Sequence, residues 1–194
     1  MSTNITLLEK KIGINFNDKN ILIKSLTHKS FNSIDNNEKL EFLGDRVLGL
    51  IISKKLLELF PNDKEGSLDK KLASLVNRKK CCEIGKKFNL EDYIIIGNVK
   101  FKKSKIEDKI ISDACEALIG AIYLDQGFIM VEKFIVKFWK KNLTINIKDQ
   151  IDAKTKLQEY SLKKYKLLPR YKTFSNTGPK HKPLFKVGVN IKNS

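Results

Sequence analysis

Two short stretches of this chain carry acidic residues at spacings that gather them on one face of a helix. In Asn37-Glu38-Lys39-Leu40-Glu41-Phe42-Leu43-Gly44-Asp45, a rotation of about 100° per residue puts Glu38, Glu41 and Asp45 within a sector of about 60°. In Asp113-Ala114-Cys115-Glu116-Ala117-Leu118-Ile119-Gly120, Asp113 and Glu116 stand one turn apart in an otherwise apolar run, where unpartnered acids are expensive to bury. Clustered carboxylates repel one another unless a cation lies between them. If the two faces meet, the all-oxygen donor set suits Mg²⁺ or Mn²⁺. One or two such ions activate water and stabilise charge on a phosphate, so a nucleic-acid phosphodiester is the natural substrate. Each acidic pair alone reads better as a solvated helix face or a capped core polar group. The two together favour a metal site. Glycine recurs four residues after an acid in both stretches, at Gly49 and Gly120, and is expected to let the two helices approach closely.

Other chemistries find little support. His28 reads as a hydrogen-bonded structural histidine, Cys115 as a core residue pointing away from its acidic neighbours, and no Cys/His spacing suits zinc. There is no Walker loop, no GxGxxG and no Ser/His/Asp arrangement of any specificity.

The elements that must position these acids are helices. Leu7, Leu8 and Ile12 open a helical pattern. Ile21 to His28 forms a short second element, and residues 36–60 form a long helix ended by Pro61. Ser67 is placed to cap the next helix, whose apolar side is Leu68, Leu72, Leu75 and Val76. Further helices are predicted at about 78–88, 106–125 and 128–141, with no strong strand before residue 150. The polar stretch 142–150 reads as a linker. Beyond it, 153–164 is helical, and 170–174 and 184–191 alternate polar and apolar residues around Gly178-Pro179, as a hairpin does.

The chain of 194 residues is 41% hydrophobic and 31% charged, the balance of a globular protein. Its apolar runs fall short of the roughly 18 residues of a membrane span, and the N-terminus shows no basic stretch followed by an apolar one. Three cysteines, two of them adjacent (Cys81 and Cys82), do not form a disulfide framework. These features point to the cytoplasm and to no membrane partner. The formal charge of +16 favours a polyanionic partner. With only three arginines among 38 basic residues, a lysine-rich compositional bias is the competing explanation. Distribution argues against it: residues 148–194 hold twelve Lys or Arg against three acids, a net +9, as a separate nucleic-acid-binding segment does.

The stretches Ser25-Leu26-Thr27-His28-Lys29-Ser30, Asn37-Glu38 through Gly49, and Asp113 through Gly120 resemble the signature blocks of bacterial ribonuclease III. Lys64-Glu65-Gly66 also matches, and Lys154-Thr155-Lys156-Leu157-Gln158-Glu159-Tyr160 resembles the opening of a double-stranded-RNA-binding domain. The resemblance implies an all-α nuclease domain over 1–143, a linker over 144–151, and a partial α+β double-stranded-RNA-binding domain (αββ) over 152–194. It implies a Mg²⁺-dependent endoribonuclease, with Mn²⁺ able to substitute. Such an enzyme cuts double-stranded RNA to 5′-phosphate products with short 3′ overhangs and processes precursor ribosomal RNA and mRNA. Glu41, Asp45, Asp113 and Glu116 would be metal ligands, with Asp45 and Glu116 the catalytic pair, while Glu38 and Glu65 would line the cleavage site. The family forms homodimers, and Phe42 would be the apolar knob entering the partner; an ordinary core phenylalanine is an equal reading from sequence. Gln158, Glu159 and His181 would contact RNA by shape and 2′-hydroxyls. The family's binding domain continues with a third strand and a second helix, which this chain, ending at Ser194, does not contain, so lower duplex affinity is expected. The rival reading is a non-catalytic double-stranded-RNA-binding or ribosome-associated protein. It leaves mutually repelling acids without a purpose.

Overall fold

The computed structural model describes residues 2–97, 106–144, 153–177 and 184–191. The chain divides into two compact units, Met1–Ile145 and Asn146–Ser194.

The first unit is helical, with α1 (Ser2–Ile12), α2 (Lys19–Leu26), α3 (Glu38–Leu59), α4 (Glu65–Val76), α5 (Arg78–Lys87) and α6 (Asp108–Thr144), and a 3₁₀ turn at Leu90–Asp92. α6 is the hub, packed chiefly on α3 and α5 and also on α2. Buried Leu40, Val47, Leu48, Ile51, Ile52 and Leu56 form the apolar stripe of α3 and meet Ala114, Leu118, Ile119 and Ile122 of α6 in the core. α3 stops where proline dictates. Pro61 disfavours helical backbone at the preceding residue, and Phe60 is non-helical (φ −131°, ψ 58°) while its N–H still reaches the Leu56 carbonyl.

α6 contains a break. Gly127 adopts φ 75°, ψ −176°, a conformation that only glycine takes readily, so the run comprises two helices, as the pattern of 106–125 and 128–141 predicts. By length and composition alone Asp108–Leu143 is apolar enough to cross a bilayer. The apolar residues of its first half are accounted for by burial: Ala114, Leu118, Ala121 and Ile122 are fully covered. In the second half, Phe134 and Phe138 pack edge-on with Phe88 at the α5 end and tilted against each other, and the buried Trp139 Nε1 donates to the Leu75 carbonyl at 2.8 Å.

Two of the boundaries that differ from expectation have a visible structural cause. α2 ends at Leu26, not His28, because Thr27 pairs in a parallel bridge with Ile95, and the His28 N–H donates to the Ile95 carbonyl (2.9 Å). α4 begins at Glu65, so Ser67 lies inside its first turn and its hydroxyl donates to Asp63 (2.8 Å) instead of capping.

The second unit contains α7 (Ala153–Tyr165) and an antiparallel pair, β1 (Arg170–Thr177) and β2 (Leu184–Asn190). Register runs from Arg170 opposite Asn190 to Thr177 opposite Leu184, with an irregularity between Thr173 and Ser175. The ring of Phe174 there fills the space over Gly188, where a Cβ would stand 2.3 Å from ring atom Cε2.

Candidate active site

The site forms where α3 crosses α6, and the crossing is a backbone contact. A Cβ at Gly44 would lie 1.7 Å from the Glu116 carbonyl oxygen, and one at Gly120 would lie 2.2 Å from the Leu40 carbonyl oxygen. No side chain fits there, so the two acidic faces meet. Gly49, which the i+4 regularity singles out, has open space around it. Gly44 is the partner of Gly120.

An open cavity of about 310 Å³ results, lined by Glu38, Glu41, Phe42, Asp45, Arg46 and Glu116. Its α3 wall is anchored by Asn37, whose N–H donates to the Thr27 carbonyl (2.9 Å) and whose carbonyl accepts from the Glu41 N–H (2.8 Å). Asp113 lies beside it on α6, only 9% exposed, and its charge acts on both Glu41 and Glu116.

The electrostatics divide the acids into two sets. Glu38 accepts a 2.8 Å hydrogen bond from Lys29, which holds its carboxyl below the ordinary value. Asp45 pairs with Arg46, and Asp113 with Lys109 at 2.7 Å. Glu41 and Glu116 are the uncompensated pair. Burial, then the charge of Asp113, raises Glu41. Burial, then the charges of Asp45, Glu41 and Asp113, pushes Glu116 up to about 7, against a hydrogen bond from the Cys81 thiol that favours the carboxylate.

This donor set fits a hard divalent cation. It supplies carboxylate oxygens from two helices, room for water, and negative charge that the protein leaves unneutralised. Among the described residues no three acidic, histidine or cysteine side chains close into a ready-made ion shell.

The other expected residues are placed as follows. Phe42 is 65% exposed at the cavity rim, so it is not a core residue. Glu65 is the exposed first residue of α4 and does not line the cavity of its own chain. Cys115 is fully buried. The Nδ1 of His28 accepts from the Ser30 N–H (3.2 Å) and lies 2.8 Å from the Ser30 hydroxyl, a structural role. On α7, Gln158 is half-buried and Glu159 exposed; His181 lies outside the described residues. The sequence reading missed Lys29, Arg46, Lys109 and Cys81. The first three sit within one helical turn or one residue of an acid or in a signature block, a usable signal; nothing local marks Cys81.

Comparison with known proteins agrees with this arrangement. Residues 18–143 match the family described as Ribonuclease-III-like, and residues 153–194 match the double-stranded RNA binding motif. Ribonuclease 3 of Pelagibacter ubique is 66% identical over 194 residues, covering 100% of this chain and 87% of that protein. Ribonuclease 3 of Campylobacter jejuni is 42% identical over 189 residues, covering 96% and 84%. A solved nuclease domain of ribonuclease III from Campylobacter jejuni, described for flexibility in a region involved in its dimer formation, superimposes with a TM-score of 0.68. It is 43% identical and covers 73% of this chain and 99% of that one. Dicer from Pichia stipitis shares the fold alone, with a TM-score of 0.54 at 20% identity, covering 92% of this chain and 82% of that one. An acidic cavity between two glycine-locked helices, followed by an RNA-binding motif, thus agrees with the family match over residues 18–143 and with relatives 66% and 42% identical, and the chain belongs to the ribonuclease III family.

Proposed function

We propose that this protein is an endoribonuclease that hydrolyses phosphodiester bonds in double-stranded RNA with Mg²⁺, or Mn²⁺ in its place. The observation that carries this reading is the pair Glu41 and Glu116, brought together from two helices at one cavity, each raised above its ordinary value by burial and by neighbouring carboxylates. Acids held in that state waste stability unless a cation is their purpose.

Glu41, Asp45, Asp113 and Glu116 would hold the ion, which when bound supplies a Lewis acid and a more acidic water. Glu116, near 7 without an ion, would be held as the carboxylate by that positive charge and form the second charged wall of the cavity. Asp45, across from it, fixes the α3 side. Glu38, on the rim and paired with Lys29, faces the RNA strand, and Glu65, set apart in its own chain, is assigned to the cleavage site of an assembled dimer.

A homodimer accords with the exposed α3 face. Phe42, Leu50 and Leu57 are 65%, 60% and 60% exposed and, at 100° per residue, share a sector of roughly 80°. α7 and the β1–β2 pair bind the RNA duplex, with Gln158, Glu159 and His181 as contacts. Products carry a 5′-phosphate and a short 3′ overhang, and the targets are precursor ribosomal RNA and mRNA in the cytoplasm, with no membrane involved.

The test is cleavage of a long RNA duplex by purified protein, in Mg²⁺ or chelator, beside Glu116→Gln. Metal-dependent cutting that the variant loses supports the proposal. Binding of the duplex with no cutting in either condition overturns it in favour of a non-catalytic RNA-binding protein.

A further inference from the structure

We propose that Lys109 is a displaceable counter-ion: it neutralises Asp113 in the metal-free protein and passes to an RNA phosphate when a divalent ion takes that carboxylate. The inference rests on the metal-site reading above and adds a residue that couples ion binding to substrate binding.

The geometry carries it. Lys109 Nζ stands 2.7 Å from Asp113 Oδ2, one turn away on α6. The two partners differ in environment: the Asp113 side chain is 13% exposed and the Lys109 side chain 53%. The carboxylate is therefore fixed in the wall while the ammonium sits on the solvent side with a flexible stem. The charge of Lys109 also bears on Glu38, Glu41 and His28, so it acts on the acids of the cavity as well as on its own partner.

Helix stability does not explain this lysine. It is the second residue of α6, where the N-terminal end of the helix dipole repels a cation. A lysine four residues before an acid is also the weaker orientation of an ion pair on a helix. An ammonium and a divalent ion compete for the same carboxylate oxygens. Once displaced, a mobile point charge beside the cavity is suited to a phosphate of the bound strand. Lys29 on Glu38 and Arg46 on Asp45 are pinned in the same way, but those carboxylates are 53% and 40% exposed. Asp113 is the buried one, so there the competition is most direct.

The experiment measures Mn²⁺ binding to the full chain without RNA, for wild type, Lys109→Gln and Glu116→Gln. It also measures duplex-RNA affinity across a salt series in Ca²⁺ and in chelator. Lys109→Gln is expected to bind Mn²⁺ roughly two- to five-fold more tightly, the size of a half-exposed ion pair. In Ca²⁺ its log–log salt dependence for RNA should fall by about 0.9, one phosphate contact, with no change in chelator. Mn²⁺ affinity no tighter than wild type, or an unchanged salt slope, overturns the proposal while leaving the metal site standing. If wild type binds no more Mn²⁺ than Glu116→Gln, the metal reading itself fails and the counter-ion role falls with it.

Discussion

The guanidinium of Arg46 lies over the ring of Phe42, 5.0 Å from its centre, while the same guanidinium pairs with the carboxylate of Asp45. The side chain assigned to the dimer contact and a side chain assigned to the metal are thus joined through one arginine. Phe42→Ala is expected to shift the protein from dimer to monomer in sedimentation equilibrium. Helix content by circular dichroism should stay the same, because a ring 65% exposed contributes little to the monomer's core. A variant that remains fully dimeric removes Phe42 from the interface.

Glu116 makes the metal-free protein sensitive to pH. Its carboxyl sits at about 7 when folded, against 4.5 ordinarily. As pH rises the unfolded chain therefore releases this proton first. The stability that the neutral acid provides is complete below about 4.5 and lost by about 7. Glu116→Gln keeps a neutral side chain throughout. In chelator it should exceed wild type by on the order of 2 kcal/mol at pH 8, and by little at pH 4.5, in urea denaturation. Adding Mg²⁺ should raise the midpoint of wild type and leave the variant's unchanged.

The helix crossing predicts opposite outcomes for two glycines on α3. Gly44→Ala puts a methyl group 1.7 Å from the Glu116 carbonyl oxygen, and overpacking against backbone should destabilise by roughly 3 kcal/mol or more. Gly49→Ala meets nothing within 4 Å and should gain about 0.5–1 kcal/mol of helix propensity. Denaturant midpoints distinguish them; equal midpoints would remove the close approach of α3 and α6 from the account.

A further substitution tests the far end of α6. Trp139→Phe keeps the buried ring but deletes the N–H that reaches the Leu75 carbonyl, leaving that acceptor unsatisfied. A loss of about 1–3 kcal/mol is expected in thermal or denaturant unfolding, with RNA cutting retained under conditions where the variant is folded.

Much of the acidic cavity is legible in the sequence, because helical period alone puts Glu38, Glu41 and Asp45 on one face and Asp113 with Glu116 on another. The break in α6 is legible for a related reason, since the apolar pattern lapses at Gln126-Gly127. The helix crossing reads less directly. Counting four residues on from each acid points to Gly49, whereas Gly44 lies in the buried stripe with Leu40, Leu48 and Ile51, so burial rather than spacing identifies it. The end of α2 is decided by Ile95, some seventy positions away, and no local propensity registers such a pairing. Cys81 meets Glu116 only through the packing of α5 on α6.

The glycine crossing bears on how the site can evolve. With main-chain atoms of α3 and α6 touching directly, the separation of the two acidic walls is gauged by peptide groups, whose dimensions do not vary. Selection for a larger or smaller ion finds no side-chain volume at the crossing to trim. Adjustment is left to the reach of the carboxylates, one methylene at a time, by exchanging Asp and Glu at positions 41, 45, 113 and 116.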